Sequence, residues 1–218
     1  MLTKVSNKTS WLIFSILILT FVSVQLGIFI HSFKFTDSLH YFYGSKLVSE
    51  NLVPYDDFLF AHPPLQLYIL SLPIEFFGYN HLLLRAMPLL SAVILTLFLF
   101  KIAKNNFGNL EALLAAAFFL FTNYVLVNST YSLGIWFTLT FMIIGLYYFL
   151  ENKIFWSGIF FGLAAATRLM FLPAFFVILL FSLFKFSENK IKITYKKSIK
   201  LFLGFLAVVF PVHLFLLS

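Results

Sequence analysis

The side chains able to do chemistry gather in one stretch of this sequence. Thr36-Asp37-Ser38-Leu39-His40-Tyr41-Phe42-Tyr43 is followed by Val53-Pro54-Tyr55-Asp56-Asp57-Phe58 and then by Ala61-His62-Pro63-Pro64-Leu65. A carboxylate just past the end of a long apolar run, as Asp37 is, can act as a general base toward an acceptor hydroxyl or amine. The tyrosines and His40 can bind a sugar ring by stacking and hydrogen bonding. A plainer use stands beside this one: Asp37-Ser38 also makes a good helix N-cap, and tyrosines at a membrane surface form an aromatic belt. His62 either binds substrate or hydrogen-bonds its own turn, and its place before Pro63-Pro64 favours the turn. Asp56 and Asp57 could hold a divalent ion weakly. No metal-ligand cluster is visible, and with no cysteine in the chain, thiolate sites, Cys nucleophiles and disulfides are excluded.

The elements that must position these residues follow from composition. Of 218 residues, 61% are hydrophobic and 11% charged, with a mean hydropathy of +0.98. That is far outside the range of a soluble domain and makes the bilayer the solvent. The apolar runs are 11–31, 64–78, 86–103, 110–127, 132–150, 154–168, 170–186 and 201–217. A crossing helix needs about 20 such residues. The run 64–78 is short and carries Pro64, Gln66, Pro73 and Glu75, so it is expected to lie along or re-enter the membrane without crossing.

Charge tests this choice. Seven spans with the N-terminus inside place Lys4, Lys8, Lys101, Lys104, Lys153, Lys185, Lys190, Lys192, Lys196, Lys197 and Lys200 in the cytoplasm, eleven of fifteen basic residues. If 64–78 crossed, the basic stretch 185–200 would fall outside, against the positive-inside rule. The expectation is an all-α, polytopic transmembrane bundle in the cell membrane, a single domain over 1–218. It has an outer loop at 32–85 with juxtamembrane helices and a polar cytoplasmic loop at 187–199, whose lysines can touch anionic membrane lipids. The net charge of +7 does not indicate nucleic acid, because the lysines fill gaps between apolar runs. A transporter or channel would put charges in mid-span, and these spans have almost none.

The order of these elements resembles the membrane glycosyltransferases of the GT-C type. The branch concerned includes the dolichyl-phosphate-mannose protein mannosyltransferases and the bacterial aminoarabinose transferases. The matching residues are Asp37, Tyr41, Pro54, Tyr55, Asp57, Phe58, Pro63, Pro64, Tyr68, Gly78 and Arg85. They are joined by Gly162-Leu163-Ala164-Ala165-Ala166-Thr167-Arg168 through Pro173. The resemblance implies a transferase that passes a sugar from a polyprenyl- or dolichyl-phosphate donor to a protein, lipid or glycan acceptor on the outer face. It implies Asp37 as catalytic base and Tyr41, Tyr55, Asp57, His62, Arg85 and Arg168 as substrate-binding residues, with no certain cofactor beyond the lipid-linked sugar.

Asp57 on this view shapes its loop or binds substrate. Arg85 and Arg168 pair with the donor phosphate or snorkel to the surface. Family members are longer, so the resemblance also implies an N-terminal module, either a fragment of a longer chain or one subunit of a split enzyme with a partner chain supplying the C-terminal half. The alternative is a non-catalytic subunit that keeps the fold. Asp37 is followed by Ser38 where the family commonly has a second acid, and Asn128-Ser129-Thr130-Tyr131-Ser132 holds none.

Overall fold

The computed structural model describes residues 5–31, 38–187, 190–193 and 195–215. The chain runs through α1 (Asn7–His31), α2 (Ser38–Ser49), α3 (Leu65–Phe77), α4 (His81–Asn106), α5 (Asn109–Leu120) and α6 (Asn123–Asn128). It continues through α7 (Ile135–Leu150), α8 (Ile154–Thr167), a 3-10 turn (Leu169–Phe171), α9 (Leu172–Leu183), β1 (Phe184–Ser187), β2 (Lys190–Ile193) and α10 (Tyr195–Phe215). Helices are what a chain in hydrocarbon must form, since each satisfies its own backbone polar groups.

Among the described residues two helical segments, Asn7–Ile28 and His81–Asn106, are long and apolar enough to cross a bilayer alone. The outward faces are apolar as well: Leu12, Ile16 and Leu19 on α1, and Phe176, Leu180 and Phe181 on α9, are exposed. Water does not tolerate surfaces of that kind on a monomer, whereas lipid does.

Hydrogen bonds sort the helix termini into two polar ends. At one end the Lys104 ammonium donates to the Asn7 side chain, Asn109 Nδ2 to the Val5 carbonyl oxygen (2.8 Å), Asn105 Nδ2 to Glu151 Oε1 (3.1 Å) and Lys197 Nζ to Asn152 Oδ1 (2.8 Å). At the other, Gln25 Nε2 donates to the Leu126 carbonyl oxygen (2.9 Å), the Ser132 amide to Ser38 Oγ (3.0 Å) and Arg168 Nη2 to the Tyr41 hydroxyl (2.6 Å). Through Ser38, Tyr41 and Gln66, α2 and α3 belong to the second end.

Apolar packing fills the space between. Phe14, Phe100, Ala112 and Ala116 join α1, α4 and α5, and Ile154, Phe161, Phe175, Leu201 and Phe205 join α8, α9 and α10. Phe42, Leu70, Ile74, Leu84 and Phe137 seat α2 and α3 on the bundle. The closest approach is between α8 and α10. A Cβ at Gly158 would fall 2.0 Å from the Leu201 carbonyl oxygen, and one at Gly204 would fall 2.1 Å from that of Phe155. Gly158 and Gly162 form the small-xxx-small pattern that lets backbones meet where lipid supplies no hydrophobic drive.

Two expectations are corrected. The stretch 187–199 is not all loop: among its described residues, 187 and 190–193 are strand and 195–199 are helix. Antiparallel pairing of Phe184 with Ile193, Lys185 with Lys192 and Phe186 with Ile191 makes a hairpin, and α10 starts at Tyr195, six residues before the apolar run at 201. Phe-Lys-Phe-Ser and Lys-Ile-Lys-Ile alternate with the period of a strand, which wins over their charge. The run 110–127 is not one helix, for it breaks at Phe121-Thr122 into α5 and α6.

Candidate active site

The site builds up from α2 and the loop after it. Asp37 lies outside the described residues, as the residue before Ser38 in sequence. Ser38, at the start of α2, is buried, and its hydroxyl accepts the Ser132 amide. One turn on, α2 turns Tyr41 inward, where it is 6% exposed. The Pro54-Tyr55-Asp56-Asp57-Phe58 turn closes through its own groups: the Tyr55 amide donates to the Phe58 carbonyl oxygen (2.8 Å), the Asp57 amide to that of Val53 (2.9 Å), and the Val53 amide to Asp57 Oδ2 (2.7 Å). Asp57 is thus occupied in holding the turn. Tyr55 sits at φ +76°, a left-handed conformation costly for a side chain of its size, and its hydroxyl donates to the His62 carbonyl oxygen at 2.5 Å.

These bonds bring four rings together. His40 stacks on Phe60 at 5.9 Å between centroids, Tyr41 lies parallel to His62 at 6.1 Å, and Phe60 meets Tyr41 edge-on at 5.8 Å. Burial pushes the Tyr55 phenol above its ordinary pKa, helped by Tyr68, so it remains a donor. Burial, then the charges of Arg168 and His40, hold the His62 imidazole below its ordinary range, so it is neutral at pH 7.

Arg168 ends α8 in extended backbone, which swings its guanidinium across the bundle to α2. Nη2 donates to the Tyr41 hydroxyl at 2.6 Å, while Nε is buried with no hydrogen-bond partner among the described residues. Nε faces Gly134. This residue has φ +76° and starts α7, and a Cβ there would sit 3.0 Å from Arg168 Nε and 2.3 Å from Gln66 Oε1. Glycine is required by both the dihedral and the crowding. Gln66 is 1% exposed and donates to the Ser132 carbonyl oxygen and hydroxyl, each at 3.0 Å. Arg85, 7% exposed on the second turn of α4, is within electrostatic reach of Tyr131. The two arginines therefore face neighbouring residues of one turn, 131–134.

Next to Arg168, whose chain neighbours Ala166 and Leu169 line it, is a cavity of about 300 Å³ also walled by Tyr55, His62, Pro64 and Val212. A fixed guanidinium with one donor committed and another unmet, next to an apolar recess, suits an oxyanion carried on an apolar chain. Among the described residues no group of three His, Asp or Glu converges on a metal position. Asp56 is exposed on the outside of its turn.

A sequence model of dolichyl-phosphate-mannose-protein mannosyltransferases matches residues 61–215. The chain belongs to that family. As a member of the mannosyltransferase family it is a membrane protein of the glycosyltransferase class. The match takes in His62, Gln66, Arg85, Gly134 and Arg168, and it begins after Asp37, Tyr41, Tyr55 and Asp57. Neither curated proteins nor solved structures yield a match.

Gln66, Ser132 and Gly134 escaped the sequence reading as site residues. Gln66 signalled itself as the polar residue inside an apolar helix, and Gly134 as the residue opening a long apolar run.

Proposed function

We propose that the chain transfers a sugar from a polyprenyl- or dolichyl-phosphate donor to a protein, lipid or glycan acceptor at the outer face of the cell membrane. Asp37 takes the acceptor proton as the acceptor oxygen or nitrogen attacks the anomeric carbon. The bond from that carbon to the phosphate oxygen breaks, and the lipid phosphate leaves with its negative charge. Arg168 and Arg85 stabilise that charge, Tyr41 fixes the Arg168 fork, and Tyr55 and His62 line the recess for the sugar or the lipid stem. The observation that carries this is the Arg168 guanidinium, anchored on Tyr41 with Nε unmet among the described residues beside Gly134, in a chain of this family.

The topology proposed with it has seven spans, a cytoplasmic N-terminus and the site outside. Support comes from the sorting of Lys104, Lys153, Lys196 and Lys197 to one end of the passes and of Arg168, Tyr41 and His62 to the other. A partner chain contributing acceptor selection belongs to the same proposal.

The test is transfer of radiolabelled sugar from polyprenyl-phosphate donors in membranes containing the chain, wild type beside Asp37→Asn. A general base of this kind is worth about 10²–10⁴ in rate, so transfer should fall by that factor with insertion unchanged. Equal transfer by both chains removes Asp37 from the mechanism. No transfer by correctly inserted wild type, even with added partner membranes, supports the non-catalytic alternative.

A further inference from the structure

We propose that the lysine end of the bundle holds a binding site for the headgroup of an anionic phospholipid, formed by Asn152, Lys153, Trp156, Lys196, Lys197 and Lys200. These residues line a cleft of about 680 Å³ between the start of α8 and the start of α10, remote from the arginine site.

Four ammonium groups line this cleft, and among the described residues none of them pairs with a carboxylate. Among the described residues the ion pair found is Lys46 with Glu50, elsewhere in the molecule, and Glu151 accepts from Asn105 at 3.1 Å. Lys197 donates to Asn152 Oδ1 at 2.8 Å, and Lys153 stands 5.7 Å from the Tyr148 ring centre, both neutral partners.

The backbone adds to the positive potential. Lys153 caps α8 and Lys196 and Lys197 open α10, so cations sit at two helix N-termini, where the macrodipole is already positive, and neither helix has an acid in its first turn. A bound anion relieves the lysines and both dipoles together.

The other wall says which anion. Phe155, Trp156 and Phe160 line the cleft below the lysines, and Trp156 is 55% exposed. A soluble phosphate has no use for that wall. A phospholipid has, since its phosphodiester meets the lysines at the membrane surface while the acyl chain runs along the aromatic rings into the bilayer. The close Gly158–Gly204 crossing fixes α8 against α10 and so sets the width of the cleft.

Trp156 is the reporter. The full chain is reconstituted in phosphatidylcholine vesicles containing a minor share of brominated phosphatidylglycerol or, separately, the same share of brominated phosphatidylcholine, and Trp156 fluorescence is taken as wild type minus Trp156→Phe. Quenching by the brominated phosphatidylglycerol should exceed its share of the lipid, and quenching by brominated phosphatidylcholine should not. Lys196→Gln, Lys197→Gln and Lys200→Gln should each lower that preference about fivefold. Arginine at the same positions should keep it, and Lys46→Gln should leave it unchanged. Equal quenching of wild type by the two lipids overturns the proposal, as does an unchanged preference when all three lysines are glutamine. Relief of quenching by soluble glycerol phosphate also overturns it, for the occupant is then a free phosphate.

Discussion

At the lysine end, Lys153, Lys196, Lys197 and Lys200 stand exposed around an open cleft, whereas at the opposite end Arg168 is fastened to Tyr41 and pressed against a glycine turn. The bundle thus uses its cations in two ways. An ammonium is a compact point charge on a flexible stem, suited to a cleft where the sum of charge matters. A guanidinium is a planar fork whose donors are fixed relative to one another, so holding Nη2 on Tyr41 aims Nε. One end collects charge and the other directs it. The sharpest way to break this contrast is to exchange the two cations. Arg168→Lys keeps the charge and loses the fork, so sugar transfer should fall about 10²–10³-fold, nearly as far as with Arg168→Gln. Lys197→Arg should leave transfer untouched. The kcat/KM of the three variants decides it, and full activity in Arg168→Lys would show that the arginine end also needs only charge.

The next largest effect separates the glycines of the two ends. A methyl at Gly158 meets the Leu201 carbonyl oxygen at 2.0 Å, which is backbone and cannot turn aside, so α8 and α10 must move apart. Gly158→Ala should cost about 1–3 kcal/mol, read as a lower thermal midpoint in detergent. A methyl at Gly134 meets the Gln66 side-chain oxygen at 2.3 Å, and that amide can rotate. Gly134→Ala should cost about 1–2 kcal/mol, chiefly for its left-handed backbone, yet it should reduce transfer more than Gly158→Ala does. The comparison fails if the stability and activity losses rank in the same order for both.

How much of this could be read from residues alone differs between the ends. The apolar runs, the interrupted segment at 64–78 and the concentration of lysines were legible because span length and charge asymmetry are constraints that act on the sequence directly. Arg85 and Arg168 were legible as cations at run boundaries, though not the Tyr41 anchor, which lies 127 positions from Arg168. Gln66 to Ser132 spans 66 positions and Ser132 to Ser38 spans 94, and contacts at such separations leave no local pattern. The lysine cleft was half legible. Its charges were evident, but the pairing of α8 with α10 depends on Gly158 and Gly204 meeting in space, and the hairpin that joins α9 to α10 was hidden by its lysines.

The smallest expected effect concerns His62, which senses the arginine end. Its pKa is depressed first by burial and then by Arg168 and His40, so the folded protein prefers the neutral ring. The unfolded chain therefore takes up a proton at higher pH than the folded one. Stability held by this site is complete above the ordinary histidine value of 6.5 and is lost as pH falls through the folded value. Histidine NMR signals in detergent should show His62 titrating below 6.5. Arg168→Gln should return it only part of the way, because burial is the larger cause, and Lys197→Gln, at the far end, should not move it. Full return to the ordinary value in Arg168→Gln would mean that charge outweighs desolvation beside Tyr41, and the arginine end would then be wetter than its packed rings imply.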